Sequence, residues 1–129
     1  MTQAEAVGTL RSIVLECRDP EPVATFWAAV LGTPIVDRED DWWALERRPG
    51  TSRLAFQVSA DHEPPAWPGV SGEQQVHLDL EVDDMATARD RVLALGARQL
   101  SDVVDEPPDG VFQVFADPAG HPFCLVKMS

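Results

Sequence analysis

Residues Gln75 to Val82 alternate strictly: Val76, Leu78, Leu80 and Val82 are apolar, while His77, Asp79 and Glu81 between them are polar. Side chains of a strand flip with period two, so this spacing predicts a strand with one face packed and one face chemical. The pattern then changes. Asp83-Asp84 stops the alternation, and Met85, Ala88, Val92 and Leu95 follow at helical spacing. The same order occurs earlier: Ile13, Leu15 and Cys17 alternate with Ser12, Val14 and Glu16. Asp19-Pro20 then supplies a helix cap with proline in the first turn. Val23, Phe26, Trp27, Val30 and Leu31 make the next apolar stripe.

Gly32 and Gly96 each sit where a helix would end in a left-handed residue. After Gly32 the pattern predicts strands at 33–37, 41–47 and 53–59, with a charged turn at Arg38-Glu39-Asp40-Asp41 and a hairpin-type turn at Arg48-Pro49-Gly50-Thr51. Trp42 and Trp43 must lie on opposite faces of the second of these, and parity alone does not say which faces inward. After Gly96 the prediction is a short strand within 97–104, a turn at 105–110, a strand at 111–116, a tight turn at Asp117-Pro118-Ala119-Gly120 and a closing strand at 122–127. Between the halves, Pro64-Pro65-Ala66-Trp67-Pro68-Gly69 fits neither sheet nor helix, and its indole is expected to pack over a neighbour.

Leu15-Glu16 recurs as Leu80-Glu81 about 65 positions later, and Leu31-Gly32 recurs as Leu95-Gly96 at about 64. Each half therefore reads strand, helix, strand, strand, strand. Neither could cover both sheet faces alone. The expected fold class is α+β, with two βαβββ modules forming a curved mixed sheet around a cleft. The expected organisation is a single domain over 8–128: a first module at 8–60, a proline-rich linker at 61–73 and a second module at 74–128. Residues up to Gly8 read as a frayed leader.

The 129 residues suffice for one packed core. A formal net charge of −12 opposes nucleic acid and anionic membrane surfaces, both of which need a basic face, and suits a cationic ligand. No apolar run approaches the ~20 residues of a membrane span, and Met1 to Val7 lack signal-peptide character. The expected compartment is the cytoplasm. Cys17 and Cys124 stand alone in apolar runs, without CxxC spacing, and are expected as buried free thiols.

The paired modules, the strand His77-Leu78-Asp79-Leu80 and the segment Asp117-Pro118-Ala119-Gly120-His121-Pro122-Phe123-Cys124-Leu125 together resemble the vicinal oxygen chelate superfamily. That group includes glyoxalase I, the bleomycin resistance proteins and the extradiol dioxygenases. The chain is similar in particular to the small glyoxalase-like proteins of high-GC Gram-positive bacteria, from about Leu10 to Met128. The resemblance implies the glyoxalase/bleomycin resistance/dihydroxybiphenyl dioxygenase fold and a homodimer. It also implies four cleft positions on the first and last strand of each half. Here these carry Ser12, Gln57, His77 and Cys124. Metal-dependent relatives place His, Gln or Glu at the first of these positions and Glu at the last. Serine is a poor ligand for a divalent ion and a thiol suits softer metals, so Gln57 and His77 are the credible ligands. Two ligands do not retain an ion, and no cofactor is expected.

His77 and Asp79 are the candidate catalytic pair, as an acid-base group and its orienting carboxylate. Ser12, Trp42, Trp43, Gln57 and Cys124 are the candidate ligand-binding residues, with one tryptophan as a stacking platform. Cys124 as a nucleophile would need a base, and His121, three residues away, is expected on the other face. Glu16 and Glu81 read as strand-end charges. Three functions follow: a small-molecule-binding protein of the resistance type that sequesters its ligand unchanged; a metal-dependent lyase, isomerase or dioxygenase; or a metal-free enzyme using His77 with Asp79.

Overall fold

The computed structural model describes residues 6–66, 76–106 and 110–128. Trp67, the leader up to residue 5 and the centre of the turn at 107–109 lie outside the described residues. The strand β1 (Ser12–Cys17) leads into helix α1 (Pro20–Leu31), followed by β2 (Ile35–Arg38), β3 (Trp42–Leu45) and β4 (Arg53–Val58). The second half runs β5 (Leu78–Glu81), α2 (Met85–Leu95), β6 (Arg98–Gln99), β7 (Val104–Glu106), β8 (Gly110–Ala116) and β9 (Pro122–Met128). The α+β architecture is the expected one. Its strands form two separate mixed sheets, ordered β1-β4-β3-β2 and β5-β9-β8-β6, with β7 also paired to β8.

Both helix starts follow from the sequence. The Asp19 carboxylate accepts from Glu21 N and the Asp84 carboxylate accepts from Thr87 N, each satisfying an orphan donor of the first turn. Both helices end on a left-handed glycine, Gly32 at φ 63° and Gly96 at φ 116°. The buried stripe of α1 is Val23, Phe26 and Trp27, while Leu31 is exposed. In α2 only Val92 is buried outright, and Leu95 is exposed. The two terminal leucines thus stand at the rim rather than completing their stripes.

The second half departs from a simple four-strand unit. The predicted strand after α2 is broken into β6 and β7, both antiparallel to β8. At the break, Leu100 N and Ser101 N both donate to Val114 O, and Ser101 Oγ accepts from Val114 N. A serine side chain replaces a ladder hydrogen bond there, so residues are looped out without leaving the backbone of β8 unpaired.

The core lies between the halves. Trp27 of α1 meets Phe123 of β9 at 5.1 Å between ring centroids and Phe26 of its own helix at 5.2 Å, both edge-on. Phe115 stacks on Phe123 at 5.8 Å. Such pairs contribute roughly 0.5–1.5 kcal/mol each beyond their burial. Leu45, Leu54 and Phe56 from the first sheet and Leu125 from the second join the same cluster. One helix face therefore ties both sheets together.

Candidate functional site

Register decides which side chains share a face. In β1 and β4 the pairs are Ser12–Arg53, Val14–Ala55 and Glu16–Gln57, and Gln57 also pairs with Trp42. Trp42 therefore stands beside Gln57, with Glu16 on the far side of that glutamine, on the face opposite Trp43. Trp43 pairs with buried Phe56, packs against the core and carries the Arg38 guanidinium 5.5 Å above its ring. The choice that parity leaves open falls to Trp42, and Trp43 is a packing residue. In the second sheet Asp79 pairs with Cys124, so His77, Asp79 and Cys124 come together on the face expected for them. Their ligand atoms all lie within 4.8 Å of one another, and His77 Nε2 is 3.2 Å from Asp79 Oδ1.

The four positions implied by the resemblance are not equally placed. Ser12 Oγ accepts from Arg53 Nε at 3.1 Å, and Arg53 is ion-paired with Asp37 at 3.3 Å. A guanidinium beside Ser12 repels a divalent cation, so this residue does not fit the ligand role. Gln57 is exposed beside Trp42. What the structure assembles instead is a nitrogen, oxygen and sulfur triad at His77, Asp79 and Cys124. Its donor set suits a zinc-type ion with one position left open. Binding would have to displace a proton held firmly: burial first, then the charge of Asp79 and a hydrogen bond to it, push the Cys124 thiol up to about 11. Cys17 is raised to about 11, chiefly by burial. Both cysteines are free and buried, as expected, and neither is an activated nucleophile.

A concavity touching the predicted residue His77 lies at the seam between the modules rather than on a sheet face. It has a volume of about 760 Å³ and is lined by Ile13 to Glu16 of β1, by Val76, His77 and Leu78 at the start of β5, and by Trp27, His62, Pro65, His121 and Pro122. β1 and β5 each form one edge of their sheet. Arg53 N donates to Arg11 O and Ser59 N to Cys17 O, so the odd-numbered residues of β1 bond to β4. The peptide groups of Val14 and Glu16 then point away from β4, to the edge that pairs with no other strand among the described residues, where the cavity is. The chain has three histidines, and all three line this one cavity.

Two of those histidines are tied to a turn whose sequence, Asp117-Pro118-Ala119-Gly120, reads as structural only. The Asp117 carboxylate is buried and receives Trp27 Nε1–H at 2.8 Å, Ala119 N–H at 2.9 Å, His121 N–H at 2.9 Å and His121 Nδ1–H at 2.8 Å. His62, from the loop after β4, has its Nε2 3.1 Å from Ala119 O, and its ring lies 5.1 Å from that of His121. Gly120 makes the approach feasible: its φ is 90°, and a Cβ there would collide with the Pro64 ring. The signal that could have found this group was Asp and His at i and i+4 around a Pro-Ala-Gly turn. Trp27 and His62 carried no such signal, because they arrive from 90 and 57 positions away in the chain.

Among the described residues no helix is long and apolar enough to cross a membrane. Residues 12–126 match the family model of the glyoxalase-like domain. No curated protein matches the chain. Among solved structures, a glyoxalase/bleomycin resistance protein/dioxygenase family enzyme from Burkholderia phytofirmans PsJN is similar at TM-score 0.74 and 16% identity, covering 95% of this chain and 100% of that one. A glyoxalase/bleomycin resistance protein/dioxygenase from Nocardioides gives TM-score 0.71 at 21% identity, with 97% and 86% covered. A glyoxalase-related enzyme from Fulvimarina pelagi gives 0.70 at 20%, with 94% and 88% covered. These likenesses concern the fold. With the family model spanning nearly the whole of both modules, the chain belongs to the glyoxalase-like domain family, within the vicinal oxygen chelate superfamily.

Proposed function

We propose that this protein binds a small organic molecule in the cavity at the seam of its two modules and holds it without a resident cofactor. The observation that carries this reading is the meeting of all three histidines with Glu16 in one largely apolar hollow. Its volume of about 760 Å³ suits a drug-sized ligand. Apolar walls from Ile13, Val14, Trp27 and Leu78 supply affinity, while the imidazoles and the free edge of β1 supply direction. Sequestration of the ligand unchanged, as in the resistance-type members of the superfamily, is the simplest use of such a site. The acidic charge keeps nucleic acid and membranes from the list of partners, and a cytoplasmic homodimer is the working form.

The test is a thermal-shift screen of small organic fragments against the wild type and Val14→Trp. Val14 is 40% exposed at the cavity edge, so an indole there fills the hollow without displacing core. Fragments that stabilise the wild type and not the variant support the reading. Fragments that stabilise both place the ligand elsewhere.

A second reading, an enzyme of the glyoxalase or dioxygenase kind, rests on the His77–Asp79–Cys124 cluster. A zinc-type ion held by His77, Asp79 and Cys124 would supply a Lewis acid; without an ion, His77 with Asp79 would move a proton. Elemental analysis after purification without chelator separates the two. A stoichiometric ion lost in His77→Ala favours the second reading.

A further inference from the structure

A carboxylate only accepts hydrogen bonds, so every hydrogen at Asp117 comes from its partners. His121 Nδ1, 2.8 Å from Asp117 Oδ2, therefore carries a proton, and in the neutral ring Nε2 is left with its lone pair. The same holds for His62. The Ala119 carbonyl accepts, so His62 Nε2 is the protonated atom and Nδ1 has the lone pair. Both rings spend their donors on the turn and line the cavity with acceptors to offer. Among the described residues, His121 Nε2 has no hydrogen-bond partner. The wall thus recognises a donor hydrogen on the ligand. Glu16 in the same lining and the net charge of −12 discourage a ligand that arrives as an anion. A neutral ligand with an acidic hydroxyl answers both conditions.

The fate of that hydrogen depends on what stands behind the ring. An imidazole held through Nδ1 by a buried carboxylate is fixed in the tautomer that presents Nε2 as a proton acceptor. Asp117 is placed to hold His121 in this way. Its side chain is fully buried, held by the Trp27 indole and by two backbone N–H groups, and cannot turn away. We propose that Asp117 and His121 form a proton-accepting dyad at the seam cavity, which takes a neutral phenol or enol and holds it as the phenolate or enolate beside the His121 imidazolium. The ligand O–H bond breaks, an N–H bond forms at His121 Nε2, and the electron pair stays on the ligand oxygen. No oxidant or reductant enters. The inference rests on the seam cavity being the ligand site.

The probe is 4-nitrophenol, whose phenolate is yellow and whose phenol is not. The buffer is set about one pH unit below the dye's own midpoint, where about a tenth of the free dye is phenolate. Equilibrium dialysis measures binding, and absorbance reads the ionisation of the bound dye. The wild type should hold the dye mostly as phenolate, about a fivefold or greater enrichment, while His121→Gln should bind it mostly as the phenol. Dye bound by the wild type as phenol, or phenolate undiminished in His121→Gln, overturns the dyad; if Val14→Trp abolishes that binding, the cavity reading stands. No binding at millimolar dye overturns the dyad, while the fragment screen with Val14→Trp decides the cavity reading on its own. A measurement without any substitution guards against a variant that fails to fold. Histidine ¹⁵N spectra of the wild type, recorded about 1.5 pH units above the ordinary imidazole midpoint, should show His121 protonated at Nδ1 and bare at Nε2, with Nε2 gaining a proton when the dye is added. The opposite tautomer, or no change on saturation, overturns the proposal.

Discussion

Asp117→Asn is the substitution that most sharply probes how the site is built. The carboxylate has two oxygens, and both are fully used. Oδ1 accepts from the N–H groups of Ala119 and His121, each at 2.9 Å, and Oδ2 accepts from Trp27 Nε1 and His121 Nδ1, each at 2.8 Å. Asparagine keeps one oxygen and replaces the other with an NH₂ group. With the NH₂ at the Oδ1 position it faces two backbone donors; with it at the Oδ2 position the His121 ring can change tautomer and accept from it, leaving the Trp27 indole N–H without an acceptor. At least one charge-assisted hydrogen bond is lost, at about 1.5–3 kcal/mol, and the others lose the assistance of the charge at a side chain that is fully buried. The expected cost is about 3–5 kcal/mol, in line with the cost of breaking a buried charged network. Trp27→Phe keeps the ring packing and removes a single donor, so its cost should be about half. Because both substitutions act on one network, the double variant should fall short of their sum by about 1 kcal/mol or more. Urea unfolding followed by tryptophan fluorescence measures all three. An Asp117→Asn variant within about 1 kcal/mol of the wild type would refute the reasoning, as would simple additivity.

Gly120→Ala should cost about 1–3 kcal/mol, because it joins an unfavourable positive φ to a clash with Pro64, and it should lift the His62 loop off the turn; urea midpoints and proteolysis at residues 59–66 check both parts. Cys124 has its pKa raised from 9.0 to about 11, so its contribution to stability is whole below pH 9 and is lost as pH climbs through that window. The native protein should accordingly weaken between about pH 9 and 11, and Cys124→Val should remove part of that slope in urea titrations at each pH. The same shift predicts that iodoacetamide at neutral pH leaves Cys124 unmodified until the chain is unfolded. Trp43→Ala should cost roughly 3 kcal/mol and Trp42→Ala clearly less, since only Trp43 packs on the core; equal losses would contradict the register of β3.

Local order was legible from residues close together in the chain. Alternation placed Ser12, Val14 and Glu16 on one face of β1, and Asp19, Asp84, Gly32 and Gly96 marked helix ends that the structure keeps. The duplicated pattern pointed to the two βαβββ units, and the pairing of Asp79 with Cys124 follows from it. How the two units meet was not legible. Parity says which face a residue takes, but the seam is made by edges, and an edge has no hydropathy signature. Trp27 therefore reads as one more member of an apolar stripe, although its indole N–H reaches a carboxylate in the other half. His121 reads as lying on the wrong face for Cys124. It precedes β9 and turns back to Asp117, so its parity with Cys124 carries no information. Serine chemistry already set Ser12 aside as an ion ligand; what no inspection of β1 alone reveals is that the residue opposite it, Arg53, brings a positive charge.

Because every histidine of the chain lines the seam, one experiment addresses the central claim directly. Histidine ring signals, recorded by NMR while a fragment from the stabilisation screen is titrated in, should move together for His62, His77 and His121 with one shared midpoint. A fragment that saturates the protein while the three rings stay still would show that the ligand binds away from the seam.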